Sequence, residues 1–321
     1  MSLGTEPTDH IGSSIAGRYT LLRIVGVGAM GAVYAATDSK EGTTVALKVL
    51  SHEDTESRER FRRESALSAS ITHPNVVPIL DHGSDDALSV HFYTMPLYEQ
   101  GDLAMELARH GRMAIDVAVP LIVQAARGVA AAHEKGIVHR DIKPSNLFLE
   151  VGPDQAVTVK VADFGLAKGD EKSITRSGAI MGTLHYIAPE QAVSPRGVDA
   201  RADVWSLGMV LYHLLAGAPA FTQSGTFMAF LVKKGGTVPA LQDRAPFVPP
   251  ALARVIHAAL LREPEARWPV VPELVLGLQG AVGFDMCERT VTAAELSRAV
   301  PEPPAAERAV LPQHWEDLLR G

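Results

Sequence analysis

Apolar and polar positions change their rhythm part-way along the chain. Residues 19–50 read as strands: YTLLRIVGVGAMGAVYAATD and TTVALKVL are rich in Val, Leu and Ala and are punctuated by Gly and Asp. Residues 55–70, TESRERFRRESALSAS, predict a helix with a charged first half. His73-Pro74-Asn75 breaks that pattern, and VVPILDHG (76–83) and ALSVHFYTM (87–95) predict two more strands. After Gly101 the spacing turns helical, in DLAMELARHG, in IDVAVPLIVQAARGVAAAHEKG and in most of the remaining chain. Strands first and helices afterwards is the α+β pattern. One stretch, Val204 to Phe221, is apolar enough to suggest a membrane span, but Ser206, His213 and Pro219 interrupt it. It is expected as a buried helix, so no membrane span is expected in this chain.

Composition narrows the picture. The 321 residues have a formal net charge of -7 and 46% hydrophobic residues, enough for a sizeable core. No basic excess suggests a nucleic-acid partner or docking on anionic lipid. The single cysteine, Cys287, excludes an internal disulfide, and no Cys/His cluster has metal spacing. A cytoplasmic setting is the expectation. Residues 1–18 are polar with no signal-like apolar run, and PEPPAAERA at 301–309 reads as a linker. The final LPQHWEDLLRG has the spacing of a short amphipathic helix.

Candidate chemistry lies in a few short segments. Gly26-Val27-Gly28-Ala29-Met30-Gly31-Ala32-Val33 fits G-x-G-x-x-G-x-V. Such glycines let a backbone approach phosphate oxygens with its N–H groups. A strand-like AVYAATD comes next rather than a helix, which favours a flap over a dinucleotide-binding turn. Lys48 ends the strand VALK where it can pair with phosphates, and Glu64 is the candidate carboxylate partner, with Glu59, in the charged run, as its competitor. Val138 to Asn146 fits H-R-D-x-x-x-x-N. There, Asp141 suits a base that takes a proton from an attacking hydroxyl, and Asn146 offers a neutral oxygen to magnesium. Asp163, in Asp163-Phe164-Gly165 after the strand-like VTVKVAD, is the second candidate metal ligand.

Together these segments resemble the eukaryotic-type protein kinases, and in detail the serine/threonine kinases of bacteria, over about 260 residues. The bacterial likeness lies in Gly-Ala-Met-Gly of the flap, Arg-Phe-Arg-Arg-Glu, and His-Arg-Asp-Ile-Lys-Pro-Ser-Asn. The resemblance implies a two-lobed α+β fold: a tail at 1–18, a β-rich small lobe with one main helix at 19–98, a helical large lobe at 99–280, and an extension at 281–321. It implies ATP bound by Val25, Gly26, Val27, Gly28, Gly31, Val33, Ala46, Lys48, Met95, Tyr98, Asn146 and Asp163. Met95 would guard the back of the adenine pocket. Tyr98 would supply the hinge N–H, since Pro96 has none.

The same resemblance implies Mg2+, with Mn2+ as an alternative, on Asn146 and Asp163. Lys143 would touch the transferring phosphate, as in the serine/threonine branch, and Thr183 would link substrate platform to Asp141. Phe164, Glu190, Asp203 and Arg267 take structural roles, Asp203 holding the catalytic loop and Arg267 pairing with Glu190. The segment before Thr183 carries Ser173, Thr175 and Ser177 beside Lys172 and Arg176, candidate autophosphorylation sites that Arg140 would read. The expected activity is ATP-dependent phosphorylation of protein serines and threonines in signal transduction. The protein substrate cannot be read from these residues, and a homodimer through the small lobe, known in some relatives, finds no support in them. A catalytically silent scaffold and a partner-recruiting module are the competing readings.

Overall fold

The computed structural model describes residues 10–28, 31–51, 65–66, 68–164, 185–193, 197–221, 237–298 and 300. Its first part is a six-stranded antiparallel sheet. The strands are β1 (Ser14–Ile15), β2 (Tyr19–Gly28), β3 (Gly31–Asp38), β4 (Thr43–Ser51), β5 (Asp81–Asp85) and β6 (Val90–Pro96), in the order β1-β2-β3-β4-β6-β5. Alternation along β3 puts Ala32, Tyr34 and Ala36 on a buried face with Leu47, Val49 and Phe92. The sheet thus begins at Ser14, ahead of Tyr19, and Arg18 ties its interior strand β3 to its edge strand β5. Its guanidinium holds Asp38 of β3 at 2.6 and 2.7 Å and Asp81 of β5 at 2.7 Å.

The sequence pattern puts a strand at 76–83, but the observed strand starts only at Asp81. The preceding residues are drawn into the large lobe instead. Val77 N–H donates to Val161 O at 2.9 Å, Val161 N–H donates to Asn75 O at 2.8 Å, and Val76 and Val77 are buried. Of the helix expected at 55–70, residues 65–66 and 68–70 are described and helical. The remainder, Glu64 included, lies outside the described residues.

The second part is helical. α1 (Leu103–His110) starts on an Asp102 side chain that accepts from Met105 N–H at 2.9 Å, a conventional N-cap. α2 (Ile115–His133) is long and apolar enough to cross a membrane, yet 67% of its apolar window is buried within the lobe, where it serves as a core helix. A hairpin of β7 (Leu147–Val151) and β8 (Val157–Val161) packs on it. α3 (Pro189–Val193) leads to α4 (Arg201–Ala216), the other element with a membrane-like sequence. α4 is buried on all sides and ends on Gly217 at φ 76°, which its left-handed cap requires. α5 (Pro250–Ala259), α6 (Val271–Val282), α7 (Phe284–Cys287) and α8 (Ala293–Leu296) complete the lobe. The packed chain continues past residue 280, because Cys287, Val291 and Leu296 belong to the same core as α2 and α4.

Two polar devices stitch this lobe. All five N–H donors of the buried Arg267 are used: two on Glu190 at 2.7 and 2.8 Å, three on the carbonyls of Leu261, Arg201 and Arg262. Breaking such a buried pair by removing one partner costs about 3–5 kcal/mol. The second device joins α4 to the segment before α3, where Tyr186 Oη and His213 Nδ1 lie 2.6 Å apart. Burial, with His185 nearby, lowers His213 from its usual range to about 4. His257 is lowered by burial as well.

An unfolded chain protonates these imidazoles near pH 6.5, whereas the folded His213 accepts its proton only near pH 4, so the unfolded state binds more protons in between. Stability is therefore lost as pH falls from about 6.5 toward about 4. Urea unfolding should show His213 removing about 2 kcal/mol by pH 5. A His213→Gln variant should lose distinctly less over the same interval.

Candidate active site

Lys48 sits on β4 directly opposite Tyr93 of β6 and Val33 of β3. Its Nζ lies 2.7 Å from Asp163 Oδ1 and 5.5 Å from the centroid of the Tyr93 ring. Tyr93 Oη donates to the same carboxylate oxygen at 3.2 Å. Burial alone would raise the Asp163 pKa, but the Lys48 charge and these hydrogen bonds outweigh it and hold the carboxyl below the usual range. The Asp163 side chain still exposes 39% of its area, so the carboxylate is open to the cleft. Its backbone is left-handed at φ 55°, a conformation costing on the order of 1–3 kcal/mol in a residue with a side chain.

The next residue, Phe164, is buried against the His139 ring at 4.7 Å. His139 Nδ1 accepts from Asp141 N–H at 3.2 Å, which leaves Nε2–H to donate to Ala162 O at 2.9 Å. One imidazole thus binds both loops that carry the acidic candidates. Lys143 Nζ approaches Asp141 Oδ2 at 2.9 Å. Asn146 Nδ2 donates to Asp141 O at 2.8 Å, and Asn146 O accepts from Ala162 N–H at 3.0 Å. With its amide nitrogen so occupied, the side-chain carbonyl oxygen of Asn146 is the atom left for a cation.

The loop is suspended from α4. The Asp203 carboxylate, fully buried, accepts from His139 N–H at 2.7 Å and Arg140 N–H at 2.8 Å, and lies 2.7 Å from His133 Nε2. Arg140 takes φ 64° to present its N–H. Its Nη2 donates to Val198 O at 3.2 Å, while its buried Nε has no hydrogen-bond partner among the described residues.

Between the lobes Ala46, Leu50, Val77, Tyr93, Met95 and Ala162 pack as an apolar cluster, with Val33, Leu97, Tyr98 and Phe148 against it. Met95 pairs with Ala46, and Pro96 closes β6 opposite Val45. Tyr98 stacks on Phe148 at 5.8 Å, and burial raises its hydroxyl pKa. Gly26 pairs with Val33 and Gly28 with Gly31 in the β2–β3 flap. A Cβ on Gly31, at φ 134°, would meet Val49 O at 2.0 Å, so only glycine fits there. Val27 stands 64% exposed on the flap and Val25 41% exposed at a break in its register.

Asp163, Lys48, Asp141, Lys143 and Asn146 therefore surround one cleft, with Asp203, Glu190 and Arg267 behind it. Glu64, Ser173, Thr175, Ser177 and Thr183 lie outside the described residues. Tyr93 is a member that sequence reasoning missed. Its signal was the strand alternation that sets it two positions before Met95.

Residues 19–269 match the family described as protein kinase domain. This chain belongs to the protein kinase family. Among curated kinases, the DNA damage-responsive serine/threonine-protein kinase RqkA of Deinococcus radiodurans is 39% identical over 265 residues, 80% of this chain and 38% of its own length. Serine/threonine-protein kinase PknA of Mycobacterium tuberculosis is 34% identical over 81% of this chain and 60% of its own length. Serine/threonine-protein kinase PrkC of Bacillus subtilis is 32% identical over 91% and 45%. The chain thus spans 60% or less of the length of these relatives. The crystal structure of the Mycobacterium tuberculosis PknI kinase domain superposes with a TM-score of 0.65 at 29% identity, covering 85% of this chain and 99% of that one.

Among the described residues of this kinase domain, the Asn146 amide and the Asp163 carboxylate offer hard oxygen donors, which suit Mg2+. Among the described residues no group of three or more His, Cys, Asp or Glu could hold a metal alone. A magnesium ion here would share its coordination with substrate phosphates, its usual habit. Steady-state kinetics with varied ATP should separate the two groups on Asp163. Lys48→Met removes a charge and should lower kcat/KM for ATP by roughly 10²-fold or more. Tyr93→Phe removes one neutral hydrogen bond and should cost only about three- to tenfold.

Proposed function

We propose that this chain transfers the γ-phosphate of ATP to serine and threonine hydroxyls of proteins. The observation that carries the reading is the Asp141–Lys143–Asn146 cluster, bonded through Ala162 to the Asp163–Lys48 pair across the cleft. Adenine would lie against the apolar cluster around Ala46 and Met95, with its polar edge toward the hinge backbone at Tyr98. Asn146 and Asp163 would hold Mg2+, which when bound neutralises phosphate charge.

Asp141 accepts the proton of the attacking hydroxyl. Lys143, already ion-paired to it, keeps a positive charge beside the phosphoryl group as negative charge develops. Lys48 fixes the phosphates and orients Asp163. A lysine at position 143 also supports serine/threonine rather than tyrosine as acceptor, the specificity named for the bacterial relatives.

The buried Nε of Arg140, which has no hydrogen-bond partner among the described residues, supports control by phosphorylation, since a phosphate on Ser173, Thr175 or Ser177 would give that guanidinium an anion. The intact donor set argues against a silent scaffold.

Purified protein with Mg2+ and γ-labelled ATP should label itself and a generic basic protein on serine or threonine. Asp141→Asn should lower kcat by roughly 10²- to 10⁴-fold with little change in the KM for ATP. Label on tyrosine alone, or undiminished label in the variant, would overturn the reading.

A further inference from the structure

The residues beyond the family match do more than close the large lobe. After α6, the chain from Phe284 to Arg298 runs back across α2 to the closed end of the β7–β8 hairpin. Cys287, Val291 and Leu296 are 0–2% exposed, so this run is packed rather than draped. Backbone bonds fasten it to the hairpin: Val157 N–H donates to Val291 O at 2.8 Å, and Ala293 N–H donates to Gln155 O at 3.0 Å. Gln155 is left-handed at φ 64°, a strained turn residue that this bond helps to hold.

Side chains fasten the run to α2. Arg127 pairs with Glu288, and Arg298 pairs with Asp116. Pro120, inside α2, has no N–H for the carbonyl of Asp116 four residues earlier. Arg289 Nη1 fills that gap, donating to Asp116 O at 3.0 Å while it also pairs with Glu295. Thr292 and Glu295 form a capping box that starts α8 at the hairpin.

The hairpin has two ends. At its open end β7 follows Asn146 and β8 leads through Ala162 to Asp163, and Ala162 N–H binds Asn146 O. At its closed end, five residues or about 17 Å away, it is clamped by the Phe284–Arg298 run. Asn75 and Gln124 hold β8 between the ends, on Val159 and Val161.

We propose that Phe284–Arg298 is a strap that positions Asn146 and Asp163 by clamping the far end of the strand pair that carries them. Its catalytic consequence rests on the kinase reading. Ala293 and Arg289 are positioning residues that act through the hairpin and touch no reacting group.

Ala293→Pro isolates the clamp. Proline suits the first residue of a helix, and Thr292 already has the extended backbone, φ -100° and ψ 159°, that precedes proline. The change removes the bond to Gln155 O and aims the ring Cδ at that oxygen, so the hairpin turn is pushed off the strap at this point. Arg289→Ala is the second variant, removing the strap's bond to the Asp116 carbonyl of α2 while keeping its hairpin bonds.

Two readouts need no turnover. They are hydrogen exchange at the Ala162 amide, and Mn2+ titration in the presence of a non-hydrolysable ATP analogue, followed by electron paramagnetic resonance. Both variants should exchange Ala162 at least about threefold faster. Mn2+ should bind about three- to tenfold more weakly, below the roughly 10- to 100-fold expected on loss of a direct partner of a metal ligand. The KM for a protein acceptor should not change.

Faster exchange confined to residues 152–157 and 284–298, with Ala162 and Mn2+ binding as in wild type, would overturn the strap. Wild-type protein that transfers no phosphate, but whose variants still show the Ala162 response, would sink the kinase reading and leave the clamp standing.

Discussion

A single buried carboxylate organises the large lobe. Asp203 has no solvent of its own, so its charge must be met by protein donors, and the N–H groups of His139 and Arg140 meet it. The dependence is mutual. Arg140 reaches the carboxylate only in a left-handed conformation that an arginine would not adopt unaided. Without the carboxylate those buried N–H groups would be orphaned, at about 1–3 kcal/mol each. Because α4 is buried on every side, the point from which the loop hangs cannot drift.

From that anchor the order passes outward. His139 carries it to Ala162 and Phe164, and Ala162 returns it to Asn146, so both candidate metal ligands refer to one ring and one helix. Across the cleft, the cross-strand pair of Lys48 and Tyr93 meets Asp163 from the other lobe. Arg140 and Asp163 are two of the five described non-glycine residues with positive φ, at 64° and 55°, and they lie on either side of the chemistry. The surroundings that hold them there, a buried carboxylate and a packed phenylalanine, are independent of any bound molecule.

How much of this was legible depended on how local the signal was. Asp141, Lys143 and Asn146 lie close together in one short segment, so a fixed spacing encodes a fixed loop, and the glycine flap and Lys48 sit on strands that alternation reveals. The α+β division was legible for the same reason, since hydrophobic period is a local property. Segment 76–80 was misjudged because Val76 and Val77 are β-prone but are recruited by β8, far away in sequence. Tyr93 resembled any half-buried strand tyrosine until the register set it beside Lys48. The strap was illegible because nothing in CERTVTAAELSR announces a partner, and its link to Pro120 is a carbonyl left over from another helix.

Asp203 positions the catalytic loop through the His139 and Arg140 N–H groups, without touching substrate. Asp203→Asn keeps the size of the side chain while removing its charge and one of its acceptors. Transfer rate and nucleotide affinity should be measured together on the folded variant. Displacement of the loop predicts a rate lower by on the order of a hundredfold, with nucleotide affinity within about threefold of wild type. Transfer at the wild-type rate, with the variant folded, would contradict it.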